Sequence, residues 1–293
     1  MIAVLIVFAL MVVALVLIFP GDALAWGPIT HIVHGSAVLA SLDLLPPAMQ
    51  ALLAAHSGCY LYGCVGADII QAKAYTRDVS THCHRWPVAW RIVEEAATDR
   101  ERAFAWGYMT HLAADIVSHN HFVPSSLLRS FPSPALGHAY WEARADALQD
   151  ASHRAMVRQL LSGSYRDCDA LVGRVVEHTL LSFKTNKRIF DSMLALSKLD
   201  RWQSFLKTVN ERSRYALGGE TVQRYNGACI AAAQDLLGNQ RESYTQSYDP
   251  TGHEVLARAI ALRRRLRALK RARKLDPSLE KEIERQIGPD DTF

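Results

Sequence analysis

Residues 111 to 124, HLAADIVSHNHFVP, place three histidines and one aspartate in a stretch that is otherwise largely apolar. A helix packed in a protein core normally excludes such side chains, because each buried polar group needs a hydrogen-bond partner. His111 and Asp115 are four residues apart, so on a helix both project from one face and can chelate a single ion. His121 follows beyond the expected helix end, where it can turn toward a second ion. The stretch therefore predicts a metal site.

A second pair with the same spacing, His138 and Glu142, follows shortly afterwards. Four further candidate ligands lie upstream: His31, Asp68, His82 and His84. A lone histidine, or one beside a carboxylate, more often has a structural role. Two complete half-sites close together are different, and nitrogen and oxygen donors in this number suit zinc.

The pattern of apolar residues after residue 26 is helical. The segment PVAWRIVEEAA begins with a proline suited to a first helical turn, and TDRE at 98 to 101 forms a capping box before the next helix. Further helical patterns cover residues 142–162, 168–184, 188–209 and 220–237. The alternating runs typical of strands are missing. The sequence therefore predicts an all-α fold with a single helical domain.

The N-terminus has the features of a secretory signal peptide. Residues 2 to 19 carry no charge, and the small residues Ala23 and Ala25 form a signal-peptidase pattern before Trp26. The apolar run is nearly long enough to span a membrane, so an uncleaved anchor is the alternative. In both cases we expect the rest of the chain to be exported. The predicted division is a signal peptide or anchor at 1–25, a helical domain at 26–240 and a basic C-terminal helical tail at 241–293.

Positive charge is concentrated in the tail. The net charge of the whole chain is only +4, which does not indicate a nucleic-acid binder, but nine Lys or Arg residues lie between Arg258 and Lys274. Three leucines line one side of this predicted helix: Leu262, Leu266 and Leu269. The pattern fits a solvated surface helix, or a helix that binds an anionic membrane surface or a partner.

Residues 124–137 are rich in Ser and Pro and are predicted to form a loop, with Leu127, Leu128 and Phe131 exposed as candidate membrane contacts. The chain also has five cysteines, so at least one is unpaired or bonded to another chain. Cys59 and Cys64 are near enough in sequence to pair. Their spacing is not that of a zinc ribbon.

The motif set resembles the zinc-dependent phospholipase C family, whose fold is related to that of the zinc-dependent single-strand nucleases. The resemblance covers roughly residues 26 to 142 and implies an α-helical protein with three zinc ions in a cleft. In the family, the mature chain begins with a tryptophan whose free amine and carbonyl oxygen bind metal. Here the segment WGPITH supplies that tryptophan as Trp26 and the companion histidine as His31.

The resemblance also implies which residues bind each ion. The ligands are the amine and carbonyl of Trp26, His31 and Asp115 for one zinc; His111, Asp115 and a histidine of HCHRW for a second; and His121, His138 and Glu142 for the third. In HCHRW, the family's His-x-aromatic pattern favours His84, followed by Trp86, while His82 stays a candidate. Asp68, in GADII, matches a family residue that acts as ligand or general base. His119 is left without a ligand role.

The function that the resemblance implies is phosphodiester hydrolysis in a positively charged cleft. Asp115 would be shared by two ions, Asp68 would position a water or accept its proton, and the third ion would hold the opposite phosphate oxygen. Glu142 at its position favours the lipase branch, in which a phospholipid yields diacylglycerol and a phosphorylated head group. The alternatives are a single-strand nuclease and an exported zinc protein without catalytic activity.

Overall fold

The computed structural model describes residues 26–70, 82–130, 134–150, 152–176, 179–197, 199–213, 215, 217–276, 278–279 and 282, and only the backbone of residues 129, 134–139, 196 and 197. Within these ranges the chain is helical and contains no strand, which confirms the predicted all-α fold. None of the described helices is long and apolar enough to cross a membrane. The predicted signal peptide or anchor, 1–25, lies outside the described residues.

The described helices follow one another through short connections. The α-helices are α1 Pro28–Leu39, α2 Pro47–Ala55, α3 Ser57–Gly63, α4 Trp86–Glu95, α5 Asp99–Val117, α6 Val123–Arg129, α7 Pro134–Ala147, α8 Ser152–Ser162, α9 Arg166–Val175, α10 Phe183–Ser197, α11 Asp200–Arg212, α12 Gly219–Asn239 and α13 His253–Arg271. A π-helical turn, Ser118–Phe122, joins α5 to α6. Single 3₁₀ turns cover Leu42–Leu44, Gly66–Ile69, Gln240–Glu242 and Tyr244–Ser247.

Helix α5 is the central element and is buried along most of its length. The predicted capping box is present: the Thr98 side chain accepts the Glu101 N–H, and the Glu101 carboxylate accepts the Thr98 N–H. Helices α3, α4 and α12 pack around α5. The approach of α3 is very close, because a Cβ on Gly107 would lie only 2.0 Å from the carbonyl oxygen of Tyr60. Glycine is therefore required at this crossing, which brings the end of α3 over the middle of α5.

The prediction of a loop at 124–137 is wrong. Residues up to 129 form α6, and Pro134 begins α7. Pro124 stands in the first turn of α6, directly after the π-helical turn, and the fixed φ of proline suits this helical position. Leu127 and Leu128 are only 2% and 3% exposed, so neither is a membrane contact. Phe131 lies outside the described residues.

Two of the predicted helices are each divided in two. The prediction for 142–162 spans α7 and α8, which are separated where the Asp150 side chain accepts the Ser152 N–H and so favours a turn. The prediction for 188–209 spans α10 and α11. Because both helices of each pair bury apolar residues, the helical spacing of apolar residues in the sequence continues across the break between them. The other two predictions correspond to α9, which is shorter than 168–184, and to α12.

The basic helix α13 packs against the rest of the protein. Leu262 and Leu266 form a small apolar cluster with Ala259 and with Leu128 of α6. The apolar side of this amphipathic helix is therefore covered, while most of its arginines and lysines are exposed. The division between a domain at 26–240 and a tail at 241–293 stays a prediction.

Candidate metal centre

Two of the predicted histidine ligands approach the same carboxylate oxygen of a third predicted ligand, Asp115, in the core. His111 and Asp115, one turn apart on α5, are completely buried, and His111 Nε2 lies 3.1 Å from Asp115 Oδ2. His84, just before α4, brings its Nε2 to 3.3 Å from the same oxygen and to 3.1 Å from His111 Nε2. The i, i+4 spacing on α5 therefore does place both side chains on one face.

Asp68, on the Gly66–Ile69 turn, completes a set of four donors. Its Oδ1 lies 3.4 Å from His84 Nε2 and 3.9 Å from His111 Nε2. In a tetrahedral site with bonds of about 2.0–2.1 Å, neighbouring donor atoms are about 3.3 Å apart. The spacings of this set are close to that value, so the four side chains fit a single zinc ion.

His31 approaches the other oxygen of Asp115. Its Nε2 lies 3.5 Å from Asp115 Oδ1, and its ring stacks on that of His111 with centroids 3.9 Å apart. The two oxygens of Asp115 thus face different donors, as expected of a carboxylate shared by two ions. We call His31, Asp68, His84, His111 and Asp115 the Asp115 cluster.

The Asp115 cluster contains polar atoms that the protein itself leaves unsatisfied. His31 Nε2 and both carboxylate oxygens of Asp115 are buried without a hydrogen-bond partner among the described residues. Burying such atoms is costly unless a hydrogen bond or a metal ion compensates for the lost water. Imidazole and carboxylate donors are those that zinc prefers. The cluster therefore fits the metal that the sequence predicts.

Hydrogen bonds from the opposite ring nitrogens orient two of the imidazoles. His111 Nδ1 lies 2.9 Å from the carbonyl oxygen of Cys64, so it must carry the proton, and the lone pair of Nε2 points into the cluster. His84 Nδ1 similarly faces the Cys83 thiol at 3.2 Å. The carbonyl of Cys64 is available because the close crossing of α3 over α5 places it above His111.

Protonation also suits metal binding. Burial, together with the nearby His111, lowers the pKa of His31 well below its usual value, so this imidazole is neutral. Burial alone would raise the pKa of Asp115, but His111 and the other neighbouring imidazoles outweigh it and hold the pKa well below the usual range. A neutral imidazole and an ionised carboxylate are the forms that bind zinc.

His82 and Trp26 lie next to the Asp115 cluster. The Nδ1 of His82 accepts the main-chain N–H of His84 at 3.1 Å, and the geometry favours His84 over His82 as the ligand. His82 does group with Cys83 and His84 closely enough to hold an ion. The buried Trp26 donates its indole N–H to the carbonyl of Ala114 at 3.3 Å, beside Asp115. Metal binding by its amine and carbonyl stays a prediction.

The predicted ligands of the third ion lie on the π-helical turn and on α7. Glu142 is buried, and His121 is half-buried on the turn. The helical backbone of α7 includes His138, whose side chain lies outside the described part of the structure. The pairing of His138 with Glu142 therefore stays a prediction.

His119, which the sequence left without a ligand role, is buried, and its Nε2 lies 3.9 Å from Glu142 Oε1. Its Nδ1 donates to the carbonyl of Pro250 at 2.6 Å, so Nε2 presents a lone pair toward Glu142. His119 follows Asp115 by four residues, and this spacing was the available signal. We call His119, His121 and Glu142 the Glu142 cluster.

Asp146, one turn beyond Glu142 on α7, is a further buried residue that sequence reasoning missed. It accepts the Thr30 N–H at 2.8 Å and the Thr30 hydroxyl at 3.0 Å, and so caps the first turn of α1. A Cβ on Gly27 would lie 2.5 Å from Asp146 Oδ1, so only glycine fits there. Burial raises the pKa of Asp146 to about 6. Asp146 thus holds the segment that carries Trp26 and His31 against α7.

A helical fold that gathers buried imidazole and carboxylate donors at the spacing of zinc ligands defines a metal-binding class of all-α protein. Comparison with known families narrows this class. Residues 30–209 match the family described as zinc dependent phospholipase C, and this match covers more than half of the chain. The protein therefore belongs to that family of phospholipase C-type hydrolases, as the motifs predicted. No curated protein and no solved structure matches the chain.

Proposed function

We propose that this protein is an exported zinc-dependent phosphodiester hydrolase that cleaves glycerophospholipids to diacylglycerol and a phosphorylated head group. The observation that carries the proposal is Asp115, whose two buried oxygens face different imidazole donors in a member of a phospholipase C family. A carboxylate in this position can join two cations side by side, and such a pair binds a phosphodiester.

In this proposal three ions bind. Asp68, His84, His111 and Asp115 would hold one ion; His31, Asp115 and the freed main chain of Trp26 would hold another; and His121, His138 and Glu142 would hold the third. When bound, zinc supplies positive charge that stabilises a phosphodiester and makes water more acidic. The free amine of Trp26 exists only after cleavage at residue 25, so a complete site depends on processing during export.

The groups around the ions have different roles in this proposal. Asp68 is buried at the edge of the Asp115 cluster and, besides binding an ion, orients a water or accepts its proton. The carbonyl of Cys64 keeps His111 in the tautomer that binds through Nε2. The Glu142 cluster lies on separate elements and would hold an ion whose positive charge stabilises the phosphate on the side where the alkoxide of diacylglycerol leaves.

We also propose that the basic face of α13 binds anionic membrane surfaces. Arg264, Arg267 and Arg271 are exposed, while the leucines of the helix pack against α6. Deleting the helix would expose that apolar cluster, so neutral substitutions are the sharper test. Replacing these three arginines by glutamine should weaken binding to phosphatidylserine vesicles and leave hydrolysis of a soluble substrate unchanged. Equal vesicle binding would contradict this role.

The same number of neutral substitutions on α11 provides the control for that experiment. Arg201, Lys207 and Arg212 are also exposed basic residues, and they lie on a different helix. Their replacement by glutamine lowers the net charge equally, so it separates a local binding face from a general charge effect.

The proposed activity is tested with mature protein that begins at Trp26 and is saturated with zinc. We expect release of diacylglycerol from phosphatidylcholine vesicles and loss of this release in Asp115→Asn. Unchanged hydrolysis by that variant would contradict the proposal. Hydrolysis of single-stranded DNA but not of phospholipid would instead indicate a nuclease, and bound zinc without either activity would indicate a non-catalytic protein. N-terminal sequencing of the exported chain establishes whether it begins at Trp26.

A further inference from the structure

The last turn of α3 contacts the first turn of α9, and each of these two helices carries a cysteine near the contact. Tyr62 on α3 donates its hydroxyl to Asp169 Oδ1 on α9 at 2.5 Å. The ring of Tyr62 also stacks on Tyr165, just before α9, with centroids 4.2 Å apart. Cys59 lies one turn before Tyr62, and Cys168 is the neighbour of Asp169. These contacts fix the register in which the two cysteines face each other.

Cys59 and Cys168 are 3% and 0% exposed, and their thiols lie close enough to form a hydrogen bond with each other. That hydrogen bond lowers the pKa of Cys59, and the positive charge of Arg100 acts in the same direction. The pKa of Cys168 is raised by the same bond and by burial.

The other three cysteines have different surroundings. Cys64 packs beneath α1, where a Cβ on Gly35 would lie 2.6 Å from its sulfur. Cys83 faces the His84 ring, and the thiol of Cys229 lies 3.7 Å from the carbonyl oxygen of Ala114. The pair suggested by spacing in the sequence, Cys59 with Cys64, thus has its two members directed toward different helices.

We propose that Cys59 and Cys168 form a disulfide bond in the exported protein, joining α3 to α9. The inference depends on export to an oxidising compartment, where disulfides persist, and not on the reaction that the metal centre performs. It accounts for two of the five cysteines and leaves Cys64, Cys83 and Cys229 as thiols.

The bond forms by exchange with a disulfide of the compartment, either a small molecule or an oxidoreductase. The Cys59 thiolate attacks one sulfur of that disulfide, which gives a mixed disulfide and releases one thiolate. The Cys168 thiolate then attacks the Cys59 sulfur and releases the second thiolate. The chain loses two protons and two electrons, and the oxidising disulfide is reduced to two thiols. Because both cysteines are buried in the folded protein, exchange occurs before α9 has fully packed.

The disulfide would support the metal centre indirectly. Helix α3 leads directly to Cys64, whose carbonyl orients His111. A covalent link from α3 to α9 restricts the long intervening segment in the unfolded chain and so stabilises the folded state, in which α3 has this position.

Peptide mapping tests the pairing directly. The exported full-length protein is denatured in N-ethylmaleimide and digested without reductant. We expect one cross-linked peptide pair that contains Cys59 and Cys168, with the label on the other three cysteines. A label on all five cysteines, or a cross-link that joins Cys59 to Cys64, would overturn the proposal. The variant Cys64→Ala should retain the expected cross-link, which separates the two pairings even if its stability is reduced.

Thermal unfolding provides a second measurement. Because the bond closes a long loop, reductant should lower the melting temperature of the zinc-saturated protein by about 5–10 °C. The double variant Cys59→Ala, Cys168→Ala should melt at the same temperature with and without reductant. An equal effect of reductant on this variant and on the unmodified protein would contradict a Cys59–Cys168 bond.

Discussion

The Asp115 cluster and the Glu142 cluster differ in how their side chains are held. In the first, donor atoms from four separate segments lie 3.1–3.9 Å apart, and the central pair is on α5, the most buried helix. In the second, His119 and His121 stand on a π-helical turn and Glu142 on a neighbouring helix, with 3.9 Å between His119 Nε2 and Glu142 Oε1. The first cluster thus has its central ligands on a regular, packed helix, whereas two residues of the second stand on an irregular turn.

This difference suggests a division of roles within one site. A π-helical turn changes the direction of side chains within a helix and is frequent at functional sites. Here it follows α5 directly, so the two clusters share one continuous helical segment. Ligands on such a turn adjust to an ion and a substrate more readily than those fixed in a packed helix. We therefore expect the ions of the Asp115 cluster to bind more tightly than the ion of the Glu142 cluster.

The largest effect is expected from Asp115→Asn. An amide cannot supply two anionic oxygens, so both ions that share this residue should be lost. We expect hydrolysis to fall by at least about a thousandfold and metal content, measured by mass spectrometry, to fall by two ions per chain. Asp43→Asn, at an exposed position on another segment, is the control. Loss of only one ion would show that Asp115 does not bridge.

Asp146→Asn tests the buried carboxyl group that holds the segment with Trp26 and His31 against α7. The folded protein raises the pKa of Asp146 from 3.8 to about 6, so the stability that this residue contributes is complete below pH 3.8 and is lost as pH rises through 6. The difference in unfolding free energy between the natural protein and the variant should therefore fall by about 3 kcal/mol over this range.

Urea unfolding of both proteins at a series of pH values measures this difference. His34, which is buried and hydrogen-bonded to Asn226, has its pKa lowered by burial to about 4 and so changes stability in the opposite direction. Its contribution is common to both proteins and cancels in the comparison. A difference that is independent of pH would contradict a buried, proton-binding Asp146.

Glu142→Gln should have a smaller effect than Asp115→Asn. It removes an anionic ligand from the Glu142 cluster only, so we expect the loss of one ion and a fall in hydrolysis of about thirtyfold to a hundredfold. The Asp115 cluster should keep its ions in this variant. This retention is the sharpest test of whether the two clusters bind metal independently. The exposed Glu94→Gln is the control. Simultaneous loss of all bound zinc would show that the two clusters act as one.

His119→Gln is expected to have the smallest effect. If His119 contributes to the Glu142 cluster, its loss should weaken binding of the third ion by about tenfold, as measured by competition with a zinc chelator. The exposed His253→Gln should leave the affinity unchanged. An unchanged affinity in His119→Gln would show that this histidine only fastens the π-helical turn to Pro250.

Much of the fold and part of the site could be predicted from the sequence. The capping box at Thr98 and the one-turn spacing of His111 and Asp115 depend only on helix geometry, and both are present. The error at Leu127 and Leu128 has a physical reason. A Ser/Pro-rich segment resembles a loop, and the burial of these leucines depends on α13, which is distant in sequence.

The sequence by itself determined the features that depend only on the period of a helix and on the chemistry of its side chains: an all-α protein, a family, and half-sites that suit zinc. Only the tertiary structure decided which distant residues meet. It placed His84 rather than His82 beside Asp115, His119 near Glu142, and Tyr62 of α3 against Asp169 of α9. The reason is physical: local spacing sets the face from which a side chain projects, whereas the atoms it reaches are set by the packing of helices remote in sequence.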